Sequence, residues 1–321
     1  MLYKILFFPS RIALRFYCRK IVINNKEMLR ERGPILIAAN HPNSFLDAVI
    51  VSSLFASPVY SLARGDAFAG RFFTKVLKSF NMLPVYRLSE GVANLEYNYT
   101  TFDACKKLFE ENKTVLIFSE GSCTNEWKLR PLKKGTARLA LGAWQNHIDL
   151  KVLPLGINYS GFRFYGKNLF LNFGDIISKK DLNQNGALDG RSINEFNEKL
   201  NAQLRQLVFE IDKNDRQKQL SHFQIKQPLL KRIALFFPAL TGFIINAPLY
   251  FILHLLIKDR ALDHYDSIMT GLLFLLYPLY VLAITLAAFW ISESPYSLLL
   301  LILLPFTAWS YLQLKKQIRG K

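Results

Sequence analysis

The sequence is poor in cysteine and in acidic residues. Its three cysteines, Cys18, Cys105 and Cys123, show no CxxC spacing, which excludes a disulfide framework and a cysteine zinc site and favours a reducing compartment. It contains 24 Asp and Glu against 41 Lys and Arg, which gives a formal net charge of +17. This excess predicts a negatively charged partner: nucleic acid, an anionic membrane surface or a phosphorylated substrate.

Further absences narrow the choice among these three kinds of partner. No basic helix with base-reading side chains and no RNA-stacking motif is recognisable, so nucleic acid is not an expected partner. The N-terminus lacks a small-residue cleavage site, and Arg11 and Arg15 interrupt its apolar stretch, so the segment is expected to be retained rather than removed as a signal peptide. We therefore expect the positive charge to meet anionic lipid and substrate phosphates.

Residues 1–32 are predicted to form a basic amphipathic helix at a membrane interface. At about 100° per residue, Lys4, Arg11, Arg15 and Arg19 fall within one narrow sector of a helix and leave an apolar side. The alternative is a first helix docked on the protein's own core, since Pro9 can break the segment.

Residues 33–226 are predicted to form an α/β domain whose central, mostly parallel sheet is flanked by helices. Short runs rich in Val, Ile and Leu predict buried strands at 34–40, 59–64, 114–120 and 151–160. Stretches with helical spacing occur at 69–80, 92–112, 133–146 and 192–213. In open α/β sheets ligands bind where strands end, so the polar motifs at these strand ends are the candidate functional residues.

Residues 227–321 are predicted to form an all-α membrane region. The nearly uncharged segments 233–257, 268–290 and 296–312 each approach or exceed the length of a bilayer span. If all three spanned, the basic tail would lie across the membrane from Lys231 and Arg232, which the positive-inside tendency disfavours. We therefore expect 268–290 and 296–312 to form a transmembrane hairpin. The segment 233–257, interrupted by two prolines and an asparagine, is expected to be re-entrant or interfacial.

The first chemical motif occupies residues 40–47, directly after the first predicted strand, and contains His41 and Asp47. His41 could accept the proton of an attacking hydroxyl, and Asp47 could hold the ring in the correct tautomer. Five residues separate the two, so they can meet only if His41 to Asn43 form a turn and a helix begins near Ser44. The same residues match a capping box, in which Asp47 would only bond to the helix start.

The second motif follows the strand at 114–120. Gly121 would let the backbone approach a ligand, Ser122 offers a hydroxyl, and Arg130 and Lys133 supply charge for a phosphate. Glu120 would bind a polar acceptor group or anchor the turn. Taken alone, this stretch also fits an ordinary surface loop with solvated lysines. No metal site is predicted.

Together these stretches resemble the glycerophosphate acyltransferase superfamily. The resemblance covers about 33–226 and rests on four blocks in the family's order: Asn40 to Asp47, Leu83 to Arg87, Phe118 to Gly121, and Val152 to Gly156. It implies that His41 is the base and Asp47 its partner, that Arg87 contacts phosphate, and that Glu120 and Gly121 belong to the acceptor site. It also implies direct attack on an acyl thioester, without an acyl-enzyme and without a cofactor.

The sequence departs from the family pattern at three places. The superfamily usually has four residues between its histidine and aspartate; the five found here resemble the fungal-type branch that acylates glycerol 3-phosphate or dihydroxyacetone phosphate. Ser119 replaces a usual proline. Cys123 stands where many lysophosphatidate acyltransferases have arginine, which would shift phosphate binding onto Arg87, Arg130 and Lys133. Cys123 is also a rival nucleophile, because nearby cations and hydroxyls could activate a thiol.

The expected function is that of an integral-membrane O-acyltransferase of phospholipid biosynthesis, with the catalytic domain on the cytoplasmic face. The expected acceptor is glycerol 3-phosphate or dihydroxyacetone phosphate, with lysophosphatidate as the alternative. The donor would be an acyl-CoA or an acyl carrier protein thioester, so the partners are the phospholipid membrane, the donor and the acceptor. Two other interpretations stay open: an amino-acid-linked lyso-lipid as acceptor, and a non-catalytic lipid-binding membrane protein.

Overall fold

The computed structural model describes residues 2–86, 96–182, 188–259 and 264–318, and its centre is a seven-stranded sheet in the order β1-β7-β6-β2-β5-β3-β4. The strands are β1 Cys18–Ile23, β2 Ile35–Ala39, β3 Val59–Arg64, β4 Met82–Val85, β5 Thr114–Phe118, β6 Lys151–Tyr159 and β7 Lys167–Phe173. Neighbouring strands are parallel except β6 and β7. The predicted mostly parallel α/β class is therefore confirmed.

Helices pack on both faces of the sheet and continue beyond it. Those of the first two thirds of the chain are α1 Leu2–Tyr17, α2 Phe45–Leu54, α3 Arg71–Ser79, α4 Glu96–Glu110, α5 Gly135–Gln145, α6 Gly190–Leu207 and α7 Arg216–Phe223. They are followed by α8 Leu229–Ala234, α9 Phe236–Ile257, α10 Tyr265–Ser292 and α11 Leu300–Leu314, with the 3-10 turn Pro295–Leu299 before α11.

The sheet separates two hydrophobic layers, and β2 shows why. All five of its residues are buried, and successive side chains point to opposite faces. Ile35, Ile37 and Ala39 pack in the layer that contains α1, α2 and parts of the C-terminal helices. Leu36 and Ala38 pack in the layer formed with α4, α5 and α6. A continuous apolar run is thus required to fill both sides of this central strand.

The N-terminal helix is shorter than predicted. It ends at Tyr17, and Cys18–Ile23 forms the edge strand β1, which pairs in parallel with β7. The β-branched run Ile21 to Ile23 favours a strand once a partner edge is available, and periodicity within one segment does not reveal that partner. The helix also packs on the protein itself, because Leu14 and Tyr17 are buried in the core. Phe8 and Ile12 remain exposed on its other side.

Among the described residues, three helical segments are long and apolar enough to cross a membrane by length and composition: α9, α10, and the stretch Pro295–Leu314 that includes α11. Helices α9 and α11 approach closely at Gly242, where an added Cβ would lie 2.1 Å from the Thr307 carbonyl oxygen. Leu253, Ile257 and Leu312 belong to the same hydrophobic layer as β2. The apolar C-terminal region therefore shares a core with the α/β domain.

Candidate active site

The site lies at the carboxyl edge of β2 and β5. Ala39 pairs in register with Phe118, so the chain leaves the two strands side by side and brings His41 next to Glu120. The side chain of Asn40 fixes this exit on the other side: its amide donates to the Ile157 carbonyl at 3.1 Å, and its oxygen accepts from the Ile157 N–H at 2.7 Å. The predicted strand ends therefore do converge, because neighbouring parallel strands end at one edge.

His41 and Asp47 form a hydrogen-bonded pair. The Nδ1 atom of His41 lies 2.9 Å from Oδ2 of Asp47, whose side chain is 0% exposed, whereas the His41 side chain is 15% exposed. The pair meets because residues 41–44 form a turn and α2 begins at Phe45, the arrangement that the five-residue spacing requires. Within the described part of the chain, no hydrogen bond engages Nε2 of His41, so this nitrogen is available to a substrate hydroxyl.

Three other groups hold the pair in place. The Asn43 N–H donates to Asp47 Oδ2 at 2.8 Å, and the Tyr159 hydroxyl donates to Asp47 Oδ1 at 2.7 Å. The Phe118 ring stacks on the imidazole with 3.8 Å between centroids. Burial, and then the charge of Asp47, raise the pKa of Tyr159 well above its usual value, so this hydroxyl stays protonated and can donate. The contacts of these three residues with the pair were not predicted from the sequence, although Tyr159 ends the strand that contains the fourth family block.

The capping box that the sequence also allowed is not formed. The Ser44 N–H, which Asp47 would have to accept, instead donates to Cys123 Sγ at 2.9 Å. The Ser44 hydroxyl pairs with Nδ1 of His264, 2.6 Å away. Ser44 has φ 53°, in the left-handed region that non-glycine residues rarely adopt. Contacts from two distant segments therefore stabilise a strained turn directly beside His41.

Glu120 connects the two motifs through the backbone. Its Oε2 accepts the His41 N–H and its Oε1 accepts the Arg130 N–H, both at 2.8 Å. Burial raises the pKa of this carboxyl above its usual value, and the two backbone hydrogen bonds oppose that rise. Since both oxygens already carry a backbone donor, the geometry favours the alternative in which Glu120 anchors the turn.

The cationic turn, residues 120–133, contains the other predicted phosphate contacts. The Arg130 guanidinium donates to the Ser122 carbonyl and, at 2.8 Å, to the Ser122 hydroxyl. Gly121 has φ 68°, and an added Cβ would lie 2.9 Å from Lys133 Cγ, so Lys133 packs directly over the glycine. The Thr124 N–H donates to the His41 carbonyl at 3.2 Å, which places this turn beside the histidine. Arg87 lies outside the described residues.

A buried ion pair supports the site from the C-terminal region. Asp266, in the first turn of α10, accepts from the Lys167 ammonium, and both side chains are almost completely buried. The same Asp266 oxygen accepts from the Tyr17 hydroxyl at 3.0 Å and from the Asn43 amide at 3.1 Å. Asn43 also bonds to Asp47, so α10 is connected to the predicted catalytic pair. The sequence offered one signal for this contact: an acidic residue at the border of a long apolar segment.

Within the described ranges, no group of three or more His, Cys, Asp or Glu side chains is placed to hold a metal ion.

Comparisons with known proteins give matches to acyltransferases. Residues 20–158 match the family model described as Acyltransferase. Glycerol-3-phosphate O-acyltransferase 1 of Saccharomyces cerevisiae is 35% identical over 68 residues, which are 21% of this chain and 9% of that protein. The 1-acyl-sn-glycerol-3-phosphate acyltransferase of Borreliella burgdorferi is 26% identical over 165 residues, 51% of this chain and 61% of that protein. The chain thus spans less than two thirds of the length of both curated relatives.

A solved structure, the 1-acyl-sn-glycerophosphate (LPA) acyltransferase PlsC from Thermotoga maritima, matches over 69% of this chain and 82% of its own. Its TM-score is 0.47 and its sequence identity is 14%. The family match itself contains His41, Asp47 and the cationic turn, together with strands β2 to β5. Over residues 20–158, which are less than half of the chain, the sequence is therefore similar to the acyltransferase family.

Proposed function

We propose that this chain is a membrane-bound O-acyltransferase that moves a fatty acyl group from a thioester onto a hydroxyl of glycerol 3-phosphate or dihydroxyacetone phosphate. The observation that carries the proposal is the His41–Asp47 pair, 2.9 Å apart at a strand edge and next to a cationic turn. It lies within the stretch that matches the acyltransferase family.

In the proposed reaction, Nε2 of His41 accepts the proton of the acceptor hydroxyl as its oxygen attacks the thioester carbonyl carbon. A C–O bond forms, the tetrahedral intermediate collapses, and the C–S bond breaks. The thiolate leaves and takes the proton back from the imidazolium. Each proton and electron pair is accounted for without an acyl-enzyme.

Asp47 makes His41 a better base in this scheme. Its carboxylate accepts a hydrogen bond from Nδ1–H, which fixes the tautomer that leaves Nε2 unprotonated and stabilises the imidazolium. The hydrogen bonds from Asn43 and Tyr159 hold the buried carboxylate in its orientation toward the imidazole. Phe118 fixes the plane of the ring.

The acceptor phosphate is proposed to bind at the cationic turn. Arg130 and Lys133 supply charge there, Ser122 supplies a hydroxyl, and Gly121 permits close approach of the backbone. Arg87 is proposed as a further phosphate contact from the family resemblance. A phosphate held here would place a neighbouring hydroxyl of a small acceptor near His41.

Two acceptors are supported by different observations. The five-residue spacing between His41 and Asp47 favours glycerol 3-phosphate or dihydroxyacetone phosphate. The Borreliella relative, which matches 51% of the chain, is named for acylation of 1-acylglycerol 3-phosphate, so lysophosphatidate is the second candidate. The apolar helices support a reaction at a membrane for either acceptor, and the basic tail favours the cytoplasmic face.

The purified full chain should be given a labelled acyl-CoA with glycerol 3-phosphate, dihydroxyacetone phosphate or lysophosphatidate in parallel, and then an acyl carrier protein thioester as donor. We expect transfer to glycerol 3-phosphate to be fastest and His41→Ala to reduce it by about a thousandfold. The matched control is His147→Asn, since His147 is exposed and asparagine tolerates its positive φ. Near-normal turnover of His41→Ala would contradict the proposal, and no thioester consumption with any acceptor would favour a non-catalytic lipid-binding protein.

Cys123 is tested separately as the rival nucleophile. Its sulfur accepts the Ser44 N–H, so the proposal gives it a structural part in the turn. Cys123→Ala should retain most activity and form no labelled acyl-enzyme. A folded but inactive Cys123→Ala protein, together with an acylated wild-type cysteine, would reverse the assignment.

A further inference from the structure

A cavity lined by cations lies where the C-terminal helices meet the α/β domain. It has a volume of about 580 Å³ and shares no lining residue with the His41 site. This volume lies within the range of small-molecule sites in proteins. Its walls contain no Asp or Glu and six cationic residues: Arg19, Arg216, Lys226, Arg232, Lys315 and Lys316. We call it the basic cavity.

The walls of the basic cavity are fixed by hydrogen bonds. The Gln317 side chain pairs with both backbone groups of Ile225: its Oε1 accepts the N–H at 2.8 Å and its Nε2 donates to the carbonyl at 2.6 Å. The Gln227 side chain donates to the Gln313 carbonyl at 2.8 Å. The segment before α8 is therefore attached to the end of α11, and the cavity between them is part of the fold.

Among the described residues that line the basic cavity there is no carboxylate. The Arg19 guanidinium bonds to the Leu312 carbonyl at 3.0 and 3.1 Å, and burial lowers its pKa to about 10. Lys226, Arg232 and Lys316 are exposed, and no carboxylate of the described residues pairs with them. Repulsion among so many close charges would be relieved by an anion in the cavity.

An apolar surface borders the basic cavity. Helix α8 begins two residues after Gln227, and its Leu229, Leu230 and Ile233 are 68%, 78% and 63% exposed. Exposed apolar residues continue into the first turn of α9. An anion site next to such a surface matches a molecule with a charged head and apolar chains.

We propose that the basic cavity binds the phosphate of an anionic phospholipid headgroup, whose acyl chains lie along α8 and the start of α9. This is a second lipid site, distinct from the proposed acceptor site at the cationic turn. Free phosphate offers the same charge, but it would not use the adjacent apolar surface. A lipid bound in the basic cavity would hold the α/β domain against an anionic membrane. The contact would be at the C-terminal end of α11, where this helix meets the α/β domain.

The test is native mass spectrometry of the full chain in detergent micelles that contain phosphatidylglycerol or phosphatidylcholine with identical acyl chains. The cavity variant is K226Q/R232Q/K316Q, which changes only exposed side chains. The matched control is K107Q/K179Q/K180Q, which removes the same charge from exposed lysines elsewhere. We expect wild type and control to retain phosphatidylglycerol over phosphatidylcholine, and the cavity variant to bind phosphatidylglycerol about tenfold more weakly.

Soluble competitors separate the possible sources of the phosphate. Inorganic phosphate, glycerol 3-phosphate and coenzyme A are added to the phosphatidylglycerol complex, and none is expected to displace the lipid. Displacement by any of them would overturn the lipid assignment. Equal retention of both lipids by wild type, or equal weakening in the two triple variants, would show that the basic cavity is not a specific site.

Discussion

The buried hydroxyl of Tyr159 is a single group through which the proposed mechanism can be tested. It donates to Asp47 Oδ1 at 2.7 Å, and a hydrogen bond to a charged group contributes about 1.5–3 kcal/mol. We expect Tyr159→Phe to lower kcat by about tenfold or more with little change in KM, since the carboxylate loses orientation while the acceptor site is intact. Steady-state kinetics measure this split.

The control for this variant is Tyr165→Phe. Tyr165 is also buried, but its hydroxyl bonds to Thr270 at 2.7 Å and not to the catalytic pair. Equal losses of kcat in the two variants would show that Tyr159 acts only through general packing.

Glu120 predicts a dependence of stability on pH. Its folded-state pKa is raised, so the folded protein binds the proton more tightly than the unfolded chain. The resulting stabilisation is complete below the unfolded pKa, near 4.3, and is lost as pH rises through the higher folded value. The glutamine of Glu120→Gln cannot ionise, so the stability of this variant does not fall with pH for this reason. The unfolding midpoint of Glu120→Gln relative to wild type should therefore rise with pH above that point.

Unfolding midpoints measured from pH 4 to 7 check this expectation. Glu110→Gln, which removes an exposed carboxylate, controls for the change in net charge. A difference between Glu120→Gln and wild type that stays constant, or falls, as pH rises would contradict the raised pKa.

At the residue scale, the sequence predicted contacts between residues that lie close together along the chain. The distance between His41 and Asp47 could be argued because a short turn and a helix start are local geometry. Tyr159, Phe118 and Asp266 could not, since their contacts depend on which strands are neighbours and where α10 begins. The role of the predicted site residues in catalysis and phosphate binding remains a prediction.

Among the helices, the close contact of α9 with α11 is possible because Gly242 has no side chain. An added Cβ at Gly242 would lie 2.1 Å from the Thr307 carbonyl oxygen, which belongs to the backbone and cannot rotate away. We expect Gly242→Ala to separate the two helices and to lower the unfolding temperature in detergent by several degrees, since overpacking costs about 1–3 kcal/mol.

Gly271 in α10 provides the matched control, because an added Cβ there meets nothing within 4 Å. Gly271→Ala should be neutral or stabilising, as alanine has the higher helix propensity. A Gly242→Ala protein as stable as Gly271→Ala would contradict the close helix contact.

The Lys167–Asp266 pair predicts a large effect on stability. Lys167→Met leaves the Asp266 carboxylate buried and without its cation, which we expect to cost about 3–5 kcal/mol in the free energy of unfolding. Lys151→Met is the control: its pair with Glu31 is partly exposed, so its loss should cost at most about 1 kcal/mol. Denaturant titration measures both. Equal losses would indicate that Asp266 finds another partner.

At the scale of elements, the predicted strands and helices of the domain centre agree with the structure, whereas β1, β4 and β7 were missed. The central strands are buried on both faces and read as continuous apolar runs. The β7 run contains Lys167, Asn168 and Asn172, whose side-chain N–H groups donate to partners that are distant along the chain. Such a strand does not show the apolar pattern that sequence analysis relies on.

For the whole molecule, the prediction concerns topology. Lys231, just before α9, bonds to Gln313 near the end of α11, and Leu253 and Ile257 at the other end of α9 are buried in the main core. Asp266 and Leu312 likewise place the start of α10 and the end of α11 against the α/β domain. We therefore expect both ends of α9, the start of α10 and the end of α11 to lie toward one side of the membrane, with α10 and α11 as the hairpin that crosses and returns.

Reporter tags placed after Lys321 and near Arg260 test this arrangement. Both should be accessible from the side of the catalytic domain, where a tag before Met1 serves as reference. If both tags were instead on the face opposite the tag before Met1, the result would contradict the hairpin and favour three spans. The domain boundary near residue 226 and the cytoplasmic orientation remain predictions.

The contacts of Asn43 and Ser44 with α10 have a practical consequence. A chain cut after Lys226 would keep every residue of the family match but would leave Lys167 without Asp266 and Ser44 without His264. It would also uncover the layer that Leu253 and Ile257 now fill. Removing the hydrophobic third of the protein is thus not expected to yield a soluble enzyme for crystallisation or inhibitor screening; such work needs the entire polypeptide in detergent or lipid.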